Sequence, residues 1–280
     1  MAAGPQAVVA AAGAMTDQLA LFPTVAAPAP APRTYVSMYD DLLKETAQAM
    51  LLAPGCATRD DLFNLLQEKL PQASPATRRV NAYKILERFF PPGVPQPPVV
   101  AWWPQLTERD RLQLLLYEFG FSDHLVDDFL RQVLCPLAQA GRRVLPVEVL
   151  HAFVTVCLLR PDRKSGDRLL RLLKKAGWVT VAGEDLHLQA VAPSWAVMLY
   201  CLHREFGDGR AYPLAALLAA RFRHVFFLTE SAVEEVLLQA WNAQFIIYET
   251  QMSPVGFRLA RTLAGLTAAP PPPLMEVSHG

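Results

Sequence analysis

The 24 prolines of this 280-residue chain are gathered in clusters, and the clusters dictate where regular structure can run. A proline inside a helix removes a hydrogen bond and clashes with the preceding turn, at a cost of about 3 kcal/mol, so a run of prolines marks a break. One such run, Pro91, Pro92, Pro95, Pro97, Pro98 and Pro104, surrounds Trp102 and Trp103. It predicts an extended connector over residues 91–105, with the two tryptophans pinning it against a neighbouring domain. The Ala/Pro-rich residues 1–34 and the Pro-rich residues 265–280 carry little large apolar surface to offset chain entropy, and both read as disordered tails. What is left divides into three folded blocks: residues 35–90, 106–190 and 191–264.

Composition narrows the class. A hydrophobic content of 52% suits a folded protein, and Lys plus Arg (26) cancels Asp plus Glu (26). A protein that coats nucleic acid indiscriminately is basic overall, so any nucleic-acid footprint here must be local. Cys56, Cys135, Cys157 and Cys201 lie far apart with no CxxC pair, and read as reduced, buried thiols of a cytoplasmic protein. The N-terminal stretch lacks a basic leader, so no signal peptide is expected, and no apolar run reads as a membrane span.

Block one reads as a helix-turn-helix domain. Thr58 is placed to cap a helix carrying Leu62, Phe63, Leu65, Leu66 and Leu70, and Ser74-Pro75 opens a second helix reaching Phe90. At 100° per residue, Ala76, Val80, Tyr83, Leu86 and Phe90 share one arc, which reads as the core face. Thr77, Arg78, Asn81, Lys84 and Arg88 share another, which reads as the outward face, and these side chains suit phosphates and base edges. An ordinary solvated basic face has the same pattern.

Block two carries the sharper signal. An apolar helix over Pro146 to Leu159 is followed by the basic turn Arg160 to Gly166 and a helix from about Asp167 to Ala176. Leu169, Leu170, Leu172 and Leu173 are expected inside, while Lys164, Arg168, Arg171 and Lys175, beside Arg163, form one outward stripe. Seven basic and two acidic residues lie between Arg160 and Lys175, a local charge of +5. Gly177 reads as a C-cap, and Trp178 to Leu188 as two strands around a Gly-containing turn. Helix, basic turn, basic helix, glycine, hairpin is the order of a winged helix, in which the second helix enters the major groove. Block three repeats the plan, with Ser194 as a cap, a helix over Leu214 to Phe222, another over Ala232 to Trp241, and strands Phe245–Glu249 and Phe257–Arg261 joined across Met252 to Gly256. Its last helix carries Glu234 and Glu235, which repel phosphate, so this unit reads as structural or protein-binding.

Catalytic patterns are not seen. The chain has no GxSxG, P-loop, HExxH or dinucleotide-type glycine motif, so it reads as non-enzymatic, with no cofactor, no metal and no small-molecule substrate. His124 with Asp123, Asp127 and Asp128 could converge on a helix but lacks a further partner nearby, and reads as a solvated face and cap. His203 with Glu205 reads as a helix end.

Three stretches resemble the small DNA-binding A component of BREX phage-defence systems: Ser74-Pro75-Ala76-Thr77-Arg78-Arg79, the run Leu169 to Val179, and Ala192-Pro193-Ser194 with Leu199 to Gly207. The similarity covers roughly Tyr35 to Arg261 in order of elements, and the long Ala/Pro tail and proline connector depart from it. It implies a bacterial, helical, non-enzymatic accessory protein that binds DNA and works with other phage-defence proteins. The expectation is therefore a mainly α fold of tandem helix-turn-helix and winged-helix units with short β-hairpin wings. Duplex DNA would be met through Thr77, Arg78, Asn81, Lys84, Arg88, Arg163, Lys164, Arg168, Arg171 and Lys175. A winged-helix adaptor with solvated basic stripes, and a transcription regulator needing a dimer interface, are the other readings.

Overall fold

The computed structural model describes residues 35–92, 97–207, 209–249 and 256–262. The two expected tails, connector residues 93–96 and most of the turn between the last two strands lie outside the described residues. The described fold is mainly helical, with two small three-stranded antiparallel sheets.

Side-chain caps start the helices where the sequence places them. Thr58 and Asp61 form a reciprocal capping box at α2 (Arg59–Lys69), which follows α1 (Leu43–Leu52). Ser74 Oγ accepts from the Thr77 amide at α3 (Pro75–Phe89). The core face of α3 is a correction: Asn81, Ala82, Ile85, Leu86 and Phe89 are buried, whereas Val80 and Tyr83 are exposed. Both arcs are apolar enough to pass for a core face, and packing against α2 and the helix after the connector selects one of them.

The connector is also corrected. Pro98 takes the first position of a short helix, α4 (Pro98–Trp102), and Pro104 lies in the 3-10 turn Trp103–Gln105. Proline is tolerated in a first turn because no backbone donor is needed there. Trp102 and Trp103 are each 1% exposed, with Trp102 edge-on to Tyr200, so they do pin this segment.

Two later stretches each run from helix to a short strand, through two or three further helices, to a final pair of antiparallel strands. In the first, α5 (Glu108–Ser122) precedes a helical run of α6 (His124–Phe129), a π turn (Leu130–Leu134) and α7 (Cys135–Gln139). Then come β1 (Val144–Pro146), α8 (Val147–Leu158), α9 (Arg163–Ala176), β2 (Val179–Ala182) and β3 (Asp185–Leu188), with sheet order β1-β3-β2. In register, Leu145 and Val181 flank Leu186. Gly183, at φ +62°, opens the two-residue turn between β2 and β3, a conformation that glycine reaches without strain. The second stretch runs α10 (Trp195–Phe206), β4 (Tyr212–Pro213), α11 (Ala215–Leu218), α12 (Arg221–Val225), α13 (Glu230–Asn242), β5 (Ile246–Glu249) and β6 (Gly256–Leu259), with sheet order β4-β6-β5. Strands β1 and β4 are too short to show as periodic runs in the sequence, and the single helix expected over Leu214 to Phe222 is two short ones.

Buried side chains form a continuous cluster from Met38 to Leu259. The two stretches are tied by Trp178, whose indole donates to the Val225 carbonyl at 2.6 Å and whose ring packs on Phe226. Among the described residues no helix is long and apolar enough to cross a membrane.

Candidate nucleic-acid interface

Helix α9 begins earlier than its leucine pattern predicts. Asp162 accepts from the Ser165 amide at 3.0 Å and caps the helix, so Arg163 and Lys164 occupy its first turn instead of a loop. Leu169, Leu172 and Leu173 are fully buried and Leu170 partly so, which turns Arg163, Lys164, Arg171, Lys174 and Lys175 toward solvent. Gly177, at φ +85°, closes the helix while the Trp178 amide reaches back to the Leu173 carbonyl. Gly166 faces α8 at very short range: a Cβ there would lie 2.2 Å from Nδ1 of His151. The absent side chain sets how closely α8 and α9 cross.

Part of the basic stripe is already occupied. Residues 35–41 run as an irregular strap across α9. Ser165 Oγ accepts from the Met38 amide at 2.8 Å, and Arg168 donates to the Met38 carbonyl at 2.6 Å. Arg171 pairs with Asp40 at 3.1 Å, and Lys175 with both carboxylate oxygens of Asp41 at 2.9 Å. Upstream, Arg160 reaches Ser37, which in turn donates to Asp162.

The strap's other side meets α3. Arg88 donates to the Asp40 carbonyl at 2.7 Å and lies over the Phe119 ring; burial lowers its pKa below the ordinary guanidinium value. Asn81, 5% exposed, accepts from the Tyr39 hydroxyl. Arg78 is half-buried and donates to the carbonyls of Gln67, Gln72 and Ala73, satisfying the end of α2 and the turn that follows. The face expected to point outward thus holds two groups that grip the strap and one that closes a neighbouring helix. Thr77 stays exposed at the start of α3, and Lys84 pairs with Glu87 at 2.7 Å.

The two basic faces picked out in the sequence therefore converge on one acidic segment of the same chain. Asp40 and Asp41 are the residues that sequence reading missed. Their signal was an adjacent acidic pair, but the partners lie more than a hundred residues away, beyond any local periodicity. The strap adds two carboxylates to a region of seven basic and two acidic residues, which leaves a net charge of +3. Arg163, Lys164 and Lys174 are exposed and outside these pairs.

The acidic cluster on α6 is a correction too. Asp123 does cap the helix, accepting from the Leu125 and Val126 amides. Asp127 and Asp128, however, are buried and not a solvated face. Arg221 and His224 reach Asp127 at 2.7 and 2.9 Å, and Arg131 and Tyr35 reach Asp128. A Cβ at Gly120 would come within 3.0 Å of the Arg221 guanidinium, so that glycine leaves the arginine its path. His203 lies near the end of α10 as expected but is buried, bonded to the Leu199 and Arg261 carbonyls, and burial lowers its pKa.

Among the described residues no group of three or more His, Cys, Asp or Glu side chains is placed to hold a metal ion. All four cysteines are free; three are buried and Cys157 is partly so, and burial raises the thiols of Cys135 and Cys157 to about 11, far from nucleophilic readiness. A cleft of about 350 Å³ between α5 and the end of α9 is lined by Glu108, Arg109, Gln113, Lys175 and Trp178 among others, without a histidine, cysteine or serine. Comparisons with protein families, curated proteins and solved structures found no match for the chain.

Proposed function

We propose that this chain is a non-catalytic protein that binds duplex DNA, and that its two repeated stretches are winged helices. Helix, strand, helix, helix and two strands in sheet order 1-3-2 is the layout expected of that fold; the first stretch follows it, and the second keeps the sheet order with one more short helix after its first strand. The first unit faces the DNA through the first turn and exposed flank of α9. The observation that carries this reading is the surplus of +3 on α9 after the strap has taken its share, with Arg163, Lys164 and Lys174 exposed. The second unit, with Glu234 and Glu235 on the corresponding helix, does not contact phosphate. The resemblance to the BREX A component supplies the setting: an accessory protein of a bacterial, cytoplasmic phage-defence system.

The test is a salt-dependent titration of labelled duplex DNA with the wild-type chain and Arg163→Glu/Lys164→Glu. These two side chains are exposed and outside the strap contacts, so the variant changes charge without loosening the strap. The reading expects binding to weaken at least about tenfold, and the slope of log affinity against log salt to become shallower by about 0.9 for each phosphate that is no longer neutralised. Absence of salt-dependent binding by the wild type, or equal binding by the variant, refutes it and leaves the adaptor reading.

A further inference from the structure

The helix of the second unit that corresponds to α9 is built for a different ligand. On α13, Val233, Leu237 and Ala240 face the core, which turns Glu234, Leu238 and Trp241 outward at spacings of four and three residues, on one stripe. Leu238 and Trp241 are 51% and 50% exposed, and Ile247, 38% exposed, stands on the adjoining strand β5. Two large apolar side chains side by side on an outward helix face forfeit burial unless something covers them. The Trp241 and Tyr248 rings pack edge to face with centroids 5.6 Å apart, which restrains the indole on one side.

Charge says what the cover is. No lysine or arginine occurs from Glu230 to Asn242, and among the described residues neither Glu234 nor Glu235 has a cationic partner; Glu235 only accepts weakly from Gln239. The carboxylates lie about one to two helical turns from the apolar pair, roughly 5–11 Å along the axis. They repel nucleic acid and attract cations at that distance from an apolar anchor. We infer that α13 and β5 form a docking surface for a basic amphipathic helix of another protein, with an apolar residue seated on Leu238 and Trp241 and Lys or Arg side chains facing Glu234 and Glu235. This surface is separate from α9, and the inference stands or falls independently of DNA binding.

A display library of short randomised helical peptides, panned on the full chain and counter-selected on Leu238→Ala/Trp241→Ala, tests it. Circular dichroism and melting of each variant confirm that the fold is kept. Enriched peptides should combine apolar anchors with net positive charge, and should bind Trp241→Ala at least about tenfold more weakly, as expected for a half-exposed aromatic anchor. On Glu234→Lys/Glu235→Lys protein the selection should reverse toward acidic peptides, a readout that does not depend on truncating the apolar pair. No enrichment, enrichment insensitive to Trp241, or a charge preference unmoved by the Glu-to-Lys change overturns the inference.

Discussion

The crossing of α8 and α9 fixes the direction in which Arg163 and Lys164 point, and one glycine carries it. Replacing Gly166 with alanine puts a methyl 2.2 Å from Nδ1 of His151, a distance at which the ring must move. Overpacking of this kind costs about 1–3 kcal/mol. Alanine in place of glycine inside a helix returns about 1 kcal/mol. The net is a loss of up to about 2 kcal/mol, or a fall in melting temperature of about 2–4 °C for each kcal/mol in a chain of this size. In a His151→Ala background the obstruction is gone, and Gly166→Ala should stabilise by about 1 kcal/mol. The sign of the substitution inverts, and the coupling energy between the two positions is about 1–3 kcal/mol. Urea unfolding of the four proteins, followed by far-ultraviolet circular dichroism, measures it. If Gly166→Ala stabilises both backgrounds equally, with coupling under about 0.5 kcal/mol, the close crossing is not what demands glycine here.

Three further outcomes follow from the same contacts. Asp40→Asn removes a strap charge that pairs with Arg171 in an exposed ion pair, so stability should change by less than about 1 kcal/mol. DNA binding should tighten and its salt slope steepen, and weaker binding would show that the strap aids the interface instead of shielding it. His203 has a folded-state pKa below its ordinary 6.5 because it is buried, so the unfolded chain takes up the proton first. Its contribution is intact above about pH 6.5 and is lost as pH falls from there toward the depressed folded value, by at most about 1.4 kcal/mol per pH unit. Melting curves across that window should show a shallower pH dependence for His203→Gln, and an identical dependence would contradict the assignment. Leu159 sits at φ +54° with 76% of its surface exposed, so Leu159→Gly should stabilise the fold by up to about 1 kcal/mol as left-handed strain is relieved, seen as a higher unfolding midpoint. A lower midpoint would mean that the side chain packs more than its exposure indicates.

Local chemistry explains which features were legible. Thr58, Ser74 and Ser194 cap helices, Gly177 ends one, and the hairpin strands β2 and β3 alternate as written, because each depends on neighbours within about four residues. The same locality explains the errors. On α3 two apolar arcs compete, and only the packing of Ala82 and Ile85 decides between them. Arg168, Arg171 and Lys175 stand out as a stripe, but a stripe on one helix carries no information about Asp40 and Asp41 far upstream. Asp127 and Asp128 read as surface charge because the partners of Asp127, Arg221 and His224, come from a helix nearly a hundred residues later. For Trp241 the sequence indicates only a place near the end of a helix, and it is the burial of Val233, Leu237 and Ala240 that fixes the phase of α13 and leaves the indole outside.

The central claim is that α9 is the surface that meets duplex DNA, and lysine footprinting tests it at the residues themselves. The full chain is acylated briefly with an amine-reactive reagent, alone and with saturating duplex, and each lysine is quantified by mass spectrometry. Lys164 and Lys174 on α9 are exposed, as are Lys44 and Lys69 on the first two helices, so all four react in the free protein. Lys164 and Lys174 should become protected when DNA is bound, while Lys44 and Lys69 remain as reactive as before. Protection of Lys44 and Lys69 alone, or no protection of Lys164 at a DNA concentration that saturates binding, would contradict the claim.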